Sequence, residues 1–455
     1  MSLTKTVGFF AGTTLAIGGA AFGAEQNSDM AAQIADLRAQ IASLQNAQGD
    51  QWLTEQRAAE IRGIVTDVLA DAETRSSLQG SGANAGYNGG FFISSPDGNY
   101  SMKMNVLEQI RWTFNNRNDA GPDPATSGDD QTWGFENKRT RLSLSGNVVD
   151  ASWTYKVAYY FAYSNDVEFD GSSPVLADAW VAKDLGDGLS FTAGQFKLPF
   201  SGEYGTDAGN LQFNDYSTIS NFFSDNYGQG VMVSYKADAF RAAAAYVNGL
   251  NEVDQTWFAF SPSDEFAFTG RVEFLLGGNW GQFDNAQSFR GEEMGIRVGG
   301  GMNWADSNSP GASDVFGATA DVTVDFGGAN VMGAFYWDNV DDAVPGPTGE
   351  NPWGFTLQGG FFASDDFEIV ARYEFGDADA DSDPGNDFSA LTLGANWYLA
   401  QNTAKFGVNF GYAFDHIDFN HWGFAASGNN WLPDAENPTE EDGQWMLQAQ
   451  LSFSF

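Results

Sequence analysis

Cysteine is absent from all 455 residues, which excludes disulfides, thiolate metal sites and thiol nucleophiles. Basic side chains are scarce: 21 Lys and Arg stand against 60 Asp and Glu, a formal net charge of −39. Nucleic acids and anionic surfaces are held by basic patches, so this balance excludes nucleic acid as a partner. Histidine occurs only at His416 and His421. Nothing near them supplies an oriented Ser and Asp that would activate a nucleophile, so the chain reads as a non-enzyme. Beyond residue 25 no run reaches the ~20 apolar residues that a membrane-spanning helix needs. The 42% of hydrophobic residues must therefore be interleaved with polar ones. Proline is sparse (13), whereas glycine (54) and aromatic residues (15%) are abundant, a composition that fits one large β architecture.

The first residues carry an export pattern: Lys5, an apolar core from Phe9 to Phe22, and the small residues Ala21 and Gly23 before a cut ahead of Ala24. Residues 1–23 are read as a signal peptide. Met30, Ile34, Leu37, Ile41 and Leu44 then repeat at intervals of four and three, a short coiled-coil pattern. A second amphipathic stretch carries Ile61, Ile64, Val65, Val68 and Leu69 on one stripe. Residues 24–80 are therefore expected to form a periplasmic helical or coiled-coil segment. Residues 81–90 read as a Gly-rich linker, and 91–455 as the main domain.

From about residue 91 the period of hydrophobicity becomes two and stays two. Trp445, Leu447, Ala449, Leu451, Phe453 and Phe455 share one face, while Gln444, Gln448, Gln450, Ser452 and Ser454 share the other. Sixteen such segments are predicted, near 100–115, 134–149, 151–165, 174–184, 188–196, 228–237, 239–249, 265–276, 292–304, 314–327, 329–338, 353–364, 366–376, 388–400, 403–416 and 444–455. Most reach the ~9–11 residues that a tilted strand needs to cross a bilayer. Tight turns at Val149-Asp150, Ala237-Asp238, Gly327-Gly328 and Ser364-Asp365 alternate with long links at 116–133, 197–227, 339–352 and 417–443. The link 277–291 breaks the rule, being long where a short turn is due.

Short turns on one side and long loops on the other are the mark of an outer-membrane barrel. Lipid offers the backbone no hydrogen bonds, so only helices or closed barrels span it. The fold class expected is an all-β transmembrane barrel of about 16 antiparallel strands, preceded by the helical segment. At that strand number the wall encloses an aqueous channel. Trp153, Tyr159 and Tyr163, with Trp445, Phe453 and Phe455, suit the aromatic girdles of such barrels. Leu451, Phe453 and Phe455 are read as a C-terminal assembly signal, resembling that of outer-membrane barrels.

Three blocks resemble the family of phosphate-selective porins O and P: Gly134 to Val148 (GFENKRTRLSLSGNV), Leu176 to Glu203 with its GQFKLPF run, and Leu391 to Phe414. The resemblance implies a sixteen-stranded, trimeric porin in the outer membrane. It also implies that the loop after GQFKLPF folds toward the lumen, and that basic side chains line the channel. The parity of the strands puts Lys103, Arg111, Arg139, Arg141, Lys156, Lys236, Arg241, Arg271, Arg297 and Arg372 on the lumen side, since a lipid-facing Arg or Lys near the midplane costs ~2–4 kcal/mol. Glu273 shares that parity, as do Asp321, Asp325, Glu368 and Glu374. Residues 90–455 hold 16 Lys and Arg against 51 Asp and Glu, so the family's phosphate preference does not carry over. Lys197 needs a bulge or the start of a loop to face inward, and Glu108 falls on the lipid parity.

The expected function is passive diffusion of small hydrophilic solutes or ions, with the ion preference left open between anion and cation. The partners are outer-membrane lipid, the solutes, and two further copies in a homotrimer. An alternative reading makes the barrel a structural anchor whose stalk links the membrane to the cell wall. No cofactor is expected. Asp377, Asp379, Asp381 and Asp383 recur at every second position, a spacing that can gather oxygen ligands around Ca²⁺, although an EF-hand's Gly and final Glu are missing.

Overall fold

The computed structural model describes residues 35–40, 82–117, 131–161, 174–250, 266–306, 314–340, 351–379, 386–415, 417, 422, 429–432 and 443–455. The chain divides into two compact units, Met1–Ser81 and Gly82–Phe455. In the first unit residues 35–40 are helical and exposed. The signal peptide and most of the helical segment lie outside the described residues.

In the second unit a short hairpin, β1 (Asn84–Tyr87) and β2 (Phe91–Ser94), precedes sixteen longer strands. These are β3 (Ser101–Asn116), β4 (Gln131–Val148), β5 (Asp150–Tyr160), β6 (Val175–Gly186), β7 (Leu189–Lys197) and β8 (Tyr227–Lys236). There follow β9 (Phe240–Val247), β10 (Phe266–Gly277), β11 (Gly295–Asp306), β12 (Val315–Asp325) and β13 (Ala329–Val340). The set ends with β14 (Trp353–Phe362), β15 (Phe367–Asp377), β16 (Asp387–Tyr398), β17 (Ala404–Ala413) and β18 (Gln444–Ser454). Each pairs antiparallel with the next, and β18 pairs back onto β3 from Trp445 opposite Asn116 to Ser454 opposite Leu107. The sheet is thereby closed, with no free edge between β3 and β18, as a wall in lipid requires. All sixteen strands fall where the dyad pattern puts them.

The period of two explains which way each side chain points. Val272, Phe274, Met302, Val331, Phe335, Leu357, Ile369 and Leu393 are exposed on the outer face, the side that a membrane barrel turns to lipid. Aromatic residues cluster toward the ends of the outer wall. Tyr246, Phe266, Phe268 and Trp304 meet beside the long loops. Phe367, Trp397 and Phe406 meet at the tight-turn end. The residues between them alternate inward and are buried although polar: Gln448, Gln450, Asn396, Asn409, Thr392 and Arg372. A membrane barrel is inside out in this sense, with a polar interior and an apolar exterior.

The expected turns are present. Val149 adopts φ 70° between β4 and β5, and Ala237 N–H donates to Phe240 O between β8 and β9. Two local departures matter. Part of the stretch read as a linker is β1, and β2 lengthens the wall by pairing with the first four residues of β3. A register shift in β4 beside Gln109 and Ile110 leaves Lys138 and Arg139, adjacent in sequence, both buried. A bulge of this kind lets two neighbours face the same side.

Candidate channel constriction

The connection between β7 and β8, residues 198–226, does not extend away from the barrel but lies inside it. Its sequence is built from short capped turns. The Ser201 hydroxyl accepts from Tyr204 N–H at the start of α1 (Gly202–Gly205), and the Ser217 hydroxyl accepts from Ser220 N–H at the start of α2 (Thr218–Phe223). Between them the Asp207 carboxylate accepts from Gly209 N–H. The wall makes room for this loop with glycine. A Cβ at Gly301 of β11 would meet the Phe200 carbonyl oxygen at 2.4 Å, and one at Gly407 of β17 would meet Asn214 at 2.5 Å.

Charge pins the loop to the wall. Arg111 of β3 donates to the Asp215 carboxylate at 2.8 Å, and Arg139 of β4 donates to its other oxygen at 2.7 Å. Lys138 stands 3.5 Å away. The side chains of Arg111, Arg139, Lys138 and Asp215 are only 0%, 7%, 1% and 4% exposed. Burial opposes ionisation of Asp215, but Arg139, Lys138 and Arg111 together hold its carboxyl below the ordinary carboxylate range. Arg141 donates to both oxygens of Asp207, at 3.0 and 2.7 Å. Arg372 of β15 stands 3.4 Å from Glu203 and donates to the Asp215 carbonyl at 3.0 Å. Glu374 accepts from Thr218 N–H at 2.5 Å, and Lys405 of β17 donates to the Leu211 carbonyl. Arg271 of β10 donates to the Phe200 carbonyl and is paired with Asp321 at 2.7 Å and Glu273 at 3.1 Å.

Residues 110–324 match the phosphate-selective porin O and P family. The protein is an outer-membrane porin, a channel for passive diffusion through a closed wall. Among solved structures it is similar to an anion-selective porin from Comamonas acidovorans, at 12% identity and a TM-score of 0.53, covering 78% of this chain and 99% of that one. It is also similar to OmpF of Salmonella typhi solved with daunomycin, at 11% identity and a TM-score of 0.52, covering 82% and 100%. At such identities the likeness concerns the fold. No curated protein matches the sequence.

The porin's interior is filled unevenly. Phe200, Ile219 and Phe223 of the loop pack against Tyr336 of β13, Phe388 of β16, Met446 of β18, and Ile417, Trp422 and Trp431 of the last connection. An apolar core thus occupies the β13–β18 side. Facing it, a cleft of about 430 Å³ remains between the loop and the wall at β9–β11, lined among others by Lys197, Asp207, Arg241, Glu273, Asp284 and Arg297. The segment 278–294, the long link at the tight-turn end, also folds inward. Its Ala286 N–H donates to the Asn210 carbonyl of the loop, and the Asn210 side chain donates to the Asp284 carbonyl.

The basic residues singled out from the sequence separate into two groups. Arg111, Arg139, Arg141, Arg271 and Arg372 are tied to carboxylates of the loop or wall. Arg297 lies 3.8 Å from Glu273, and Lys156 is paired with Asp178 at 2.8 Å. Arg241 makes no ion pair among the described residues and lies flat on Trp280, 4.0 Å from the ring centre. Lys103 lies beside Gly89, and Lys236 is exposed at the tight-turn end of β8. Lys197, the last residue of β7, reaches inward to the Tyr204 ring at 4.0 Å, where the loop begins. Glu108 lies on the outer face, accepting from the Thr140 hydroxyl at 2.8 Å. Leu451 and Phe453 complete the outer face of the closing strand, and Phe455 exchanges backbone hydrogen bonds with Val106 of β3.

Sequence reasoning did not find Asp215, Asp207, Glu203 or Lys138. The three acids carry no periodic signal because they sit in a loop, and Lys138 is turned inward only by the bulge. Of the acidic run, Asp377 accepts from Asp379 N–H and from the Asn386 side chain, and Asp379 accepts from Asn351 N–H. Asp381 and Asp383 lie outside the described residues. Among the described residues no three metal-ligating side chains come together.

Proposed function

We propose that solutes cross this porin through the polar cleft beside the loop, and that the porin discriminates only weakly between anions and cations. The observation that carries this reading is the neutralisation of the constriction. Asp215 is shared by Arg111, Arg139 and Lys138, Glu136 lies 3.8 Å from Arg111, Arg141 is paired with Asp207, Arg271 with both Asp321 and Glu273, and Arg372 with Glu203, so that these cations and acids balance. A pore selects by the uncompensated charge at its narrowest point, and paired charges present little of it. The field of an acid exposed to water away from the constriction is confined by a Debye length of ~8 Å at physiological salt. The expected solutes are small and hydrophilic, and passage requires no covalent step. The reversal potential across a KCl gradient tests this: a value near zero is expected, and one close to the limit for either ion overturns it.

The outer wall is apolar and is matched to outer-membrane lipid. β1 pairs through β2 with the tight-turn end of β3, the periplasmic end of such barrels. Residues 24–80 accordingly belong in the periplasm, which an epitope tag shielded from external protease in intact cells would support. A homotrimer, as implied for the family, should survive mild detergent and yield a three-chain species on cross-linking.

A further inference from the structure

The segment 278–294 stands out because a barrel needs only a tight turn at that place. Here it enters the lumen with Gln282, Phe283, Gln287, Ser288 and Phe289 buried and forms the floor of the cleft. It is fixed to the wall at several points. Gln282 donates to Asp325 at 3.0 Å, Gln287 donates to Asn402 at 2.6 Å, and the Trp280 indole donates to the Asp238 carbonyl at 2.8 Å. These anchors make the floor a preformed surface rather than a loose end.

Two groups on this floor and the wall above it face each other across the cleft without closing an ion pair among the described residues. The Arg241 guanidinium is oriented by its stack on Trp280 and leaves its Nε without a hydrogen-bond partner. The Asp284 carboxylate is exposed, and among the described residues it has no ion pair. Both line the same cleft. The remaining charges there are spoken for: Asp207 by Arg141, Glu273 by Arg271 and Arg297, and Lys197 by the Tyr204 ring, the Tyr216 hydroxyl and the field of Asp207. One open cation and one open anion thus share a space large enough for a small ligand, since such sites span ~300–1,000 Å³. A simple anion leaves Asp284 opposed to it, and a simple cation leaves Arg241 so. Only a solute with both charges satisfies both groups.

We infer that this cleft is a binding site for small zwitterions of the α-amino-acid type, with the carboxylate on Arg241 and the ammonium on Asp284. The inference rests on the cleft being the permeation path. Because the site is open to water, its contacts are weak enough to load and release a solute, as a diffusion channel requires. Trp280 is a positioning residue, acting through Arg241.

Proteoliposome swelling with glycine, acetate, ethylammonium and glycerol as probes tests the inference. Glycine should enter faster than glycerol through the unmodified porin. Arg241→Gln and Asp284→Asn should each lower the glycine-to-glycerol ratio about fivefold, the loss of one solvent-accessible charged contact of ~1 kcal/mol. Trp280→Leu should lower the ratio in the same direction as Arg241→Gln. An equal rate for glycine and glycerol in the unmodified porin overturns the proposal. So does a pattern in which Asp284→Asn speeds acetate but leaves glycine unchanged, because that describes a site for anions alone. Absence of glycerol entry would instead refute the permeation path itself.

Discussion

Asp215→Asn is the sharpest single perturbation of the constriction. The substitution keeps the shape of the side chain and removes only its charge, so packing is not at issue. It leaves Arg111, Arg139 and Lys138 facing one another with side chains no more than 7% exposed. Breaking a buried ion pair on one side costs about 3–5 kcal/mol, because the surviving charge stays desolvated. Even ~3 kcal/mol shifts the ratio of docked to displaced loop by about two orders of magnitude. The loop keeps its other anchors at Glu203, Thr218 and Leu211, so the barrel should still assemble. Single-channel recording in a planar bilayer should therefore show larger or flickering steps, with the reversal potential displaced toward anions by the released cations. Steps of unchanged size together with an unchanged reversal potential would refute the claim that Asp215 locks the loop.

Three further outcomes are expected. The Asp215 carboxyl is held below its ordinary range, so the stabilisation it confers is present above the unfolded carboxylate pKa of about 4 and is lost only as pH falls below that; the difference in conductance between the unmodified porin and Asp215→Asn should therefore stay constant from neutral pH down to about pH 5, and a change in that difference within the window would contradict the assignment. Replacing Arg139 and Arg141 together with Ala removes two positive charges from the constriction and leaves Asp207 without its ion-pair partner while Arg111 and Lys138 still hold Asp215, so the reversal potential should move toward cations, and no movement would place both arginines outside the field of the permeating ion. Deleting Phe453 to Phe455 removes the residues that close β18 onto β3 at the tight-turn end; export should continue while the heat-modifiable form disappears on a gel, and a normal barrel after the deletion would count against the assembly role.

The wall was legible in the sequence because it obeys a local rule. A strand with lipid on one side and water on the other must alternate, and Gln444 to Phe455 does so residue by residue. The inward parity of Arg111, Arg139, Arg271 and Arg372 followed from that rule, since lipid tolerates their charges poorly. Their partners were not legible. Asp215, Asp207 and Glu203 lie in a loop whose polar composition resembles that of any solvated loop, and only the closed wall brings them to Arg139, Arg141 and Arg372. The inward glycines held a partial signal. Gly299, Gly301 and Gly407 lie on the lumen parity, where a side chain would otherwise be expected, and Gly301 and Gly407 admit the loop backbone and Asn214. The link 277–291 was conspicuous for its length alone. Its course into the lumen depends on distant partners such as Asn402 and Asp325, which no spacing in the sequence announces.

The central claim is that a water-filled path remains open beside the inserted loop. Single-channel conductance of the purified, unheated porin in a planar bilayer tests it most directly, alongside a variant with residues 203–222 replaced by a short Gly-Ser link. Stable, ohmic steps are expected for the unmodified porin and larger ones for the shortened loop. A bilayer that stays silent with correctly assembled protein, or steps of equal size in both, would contradict it.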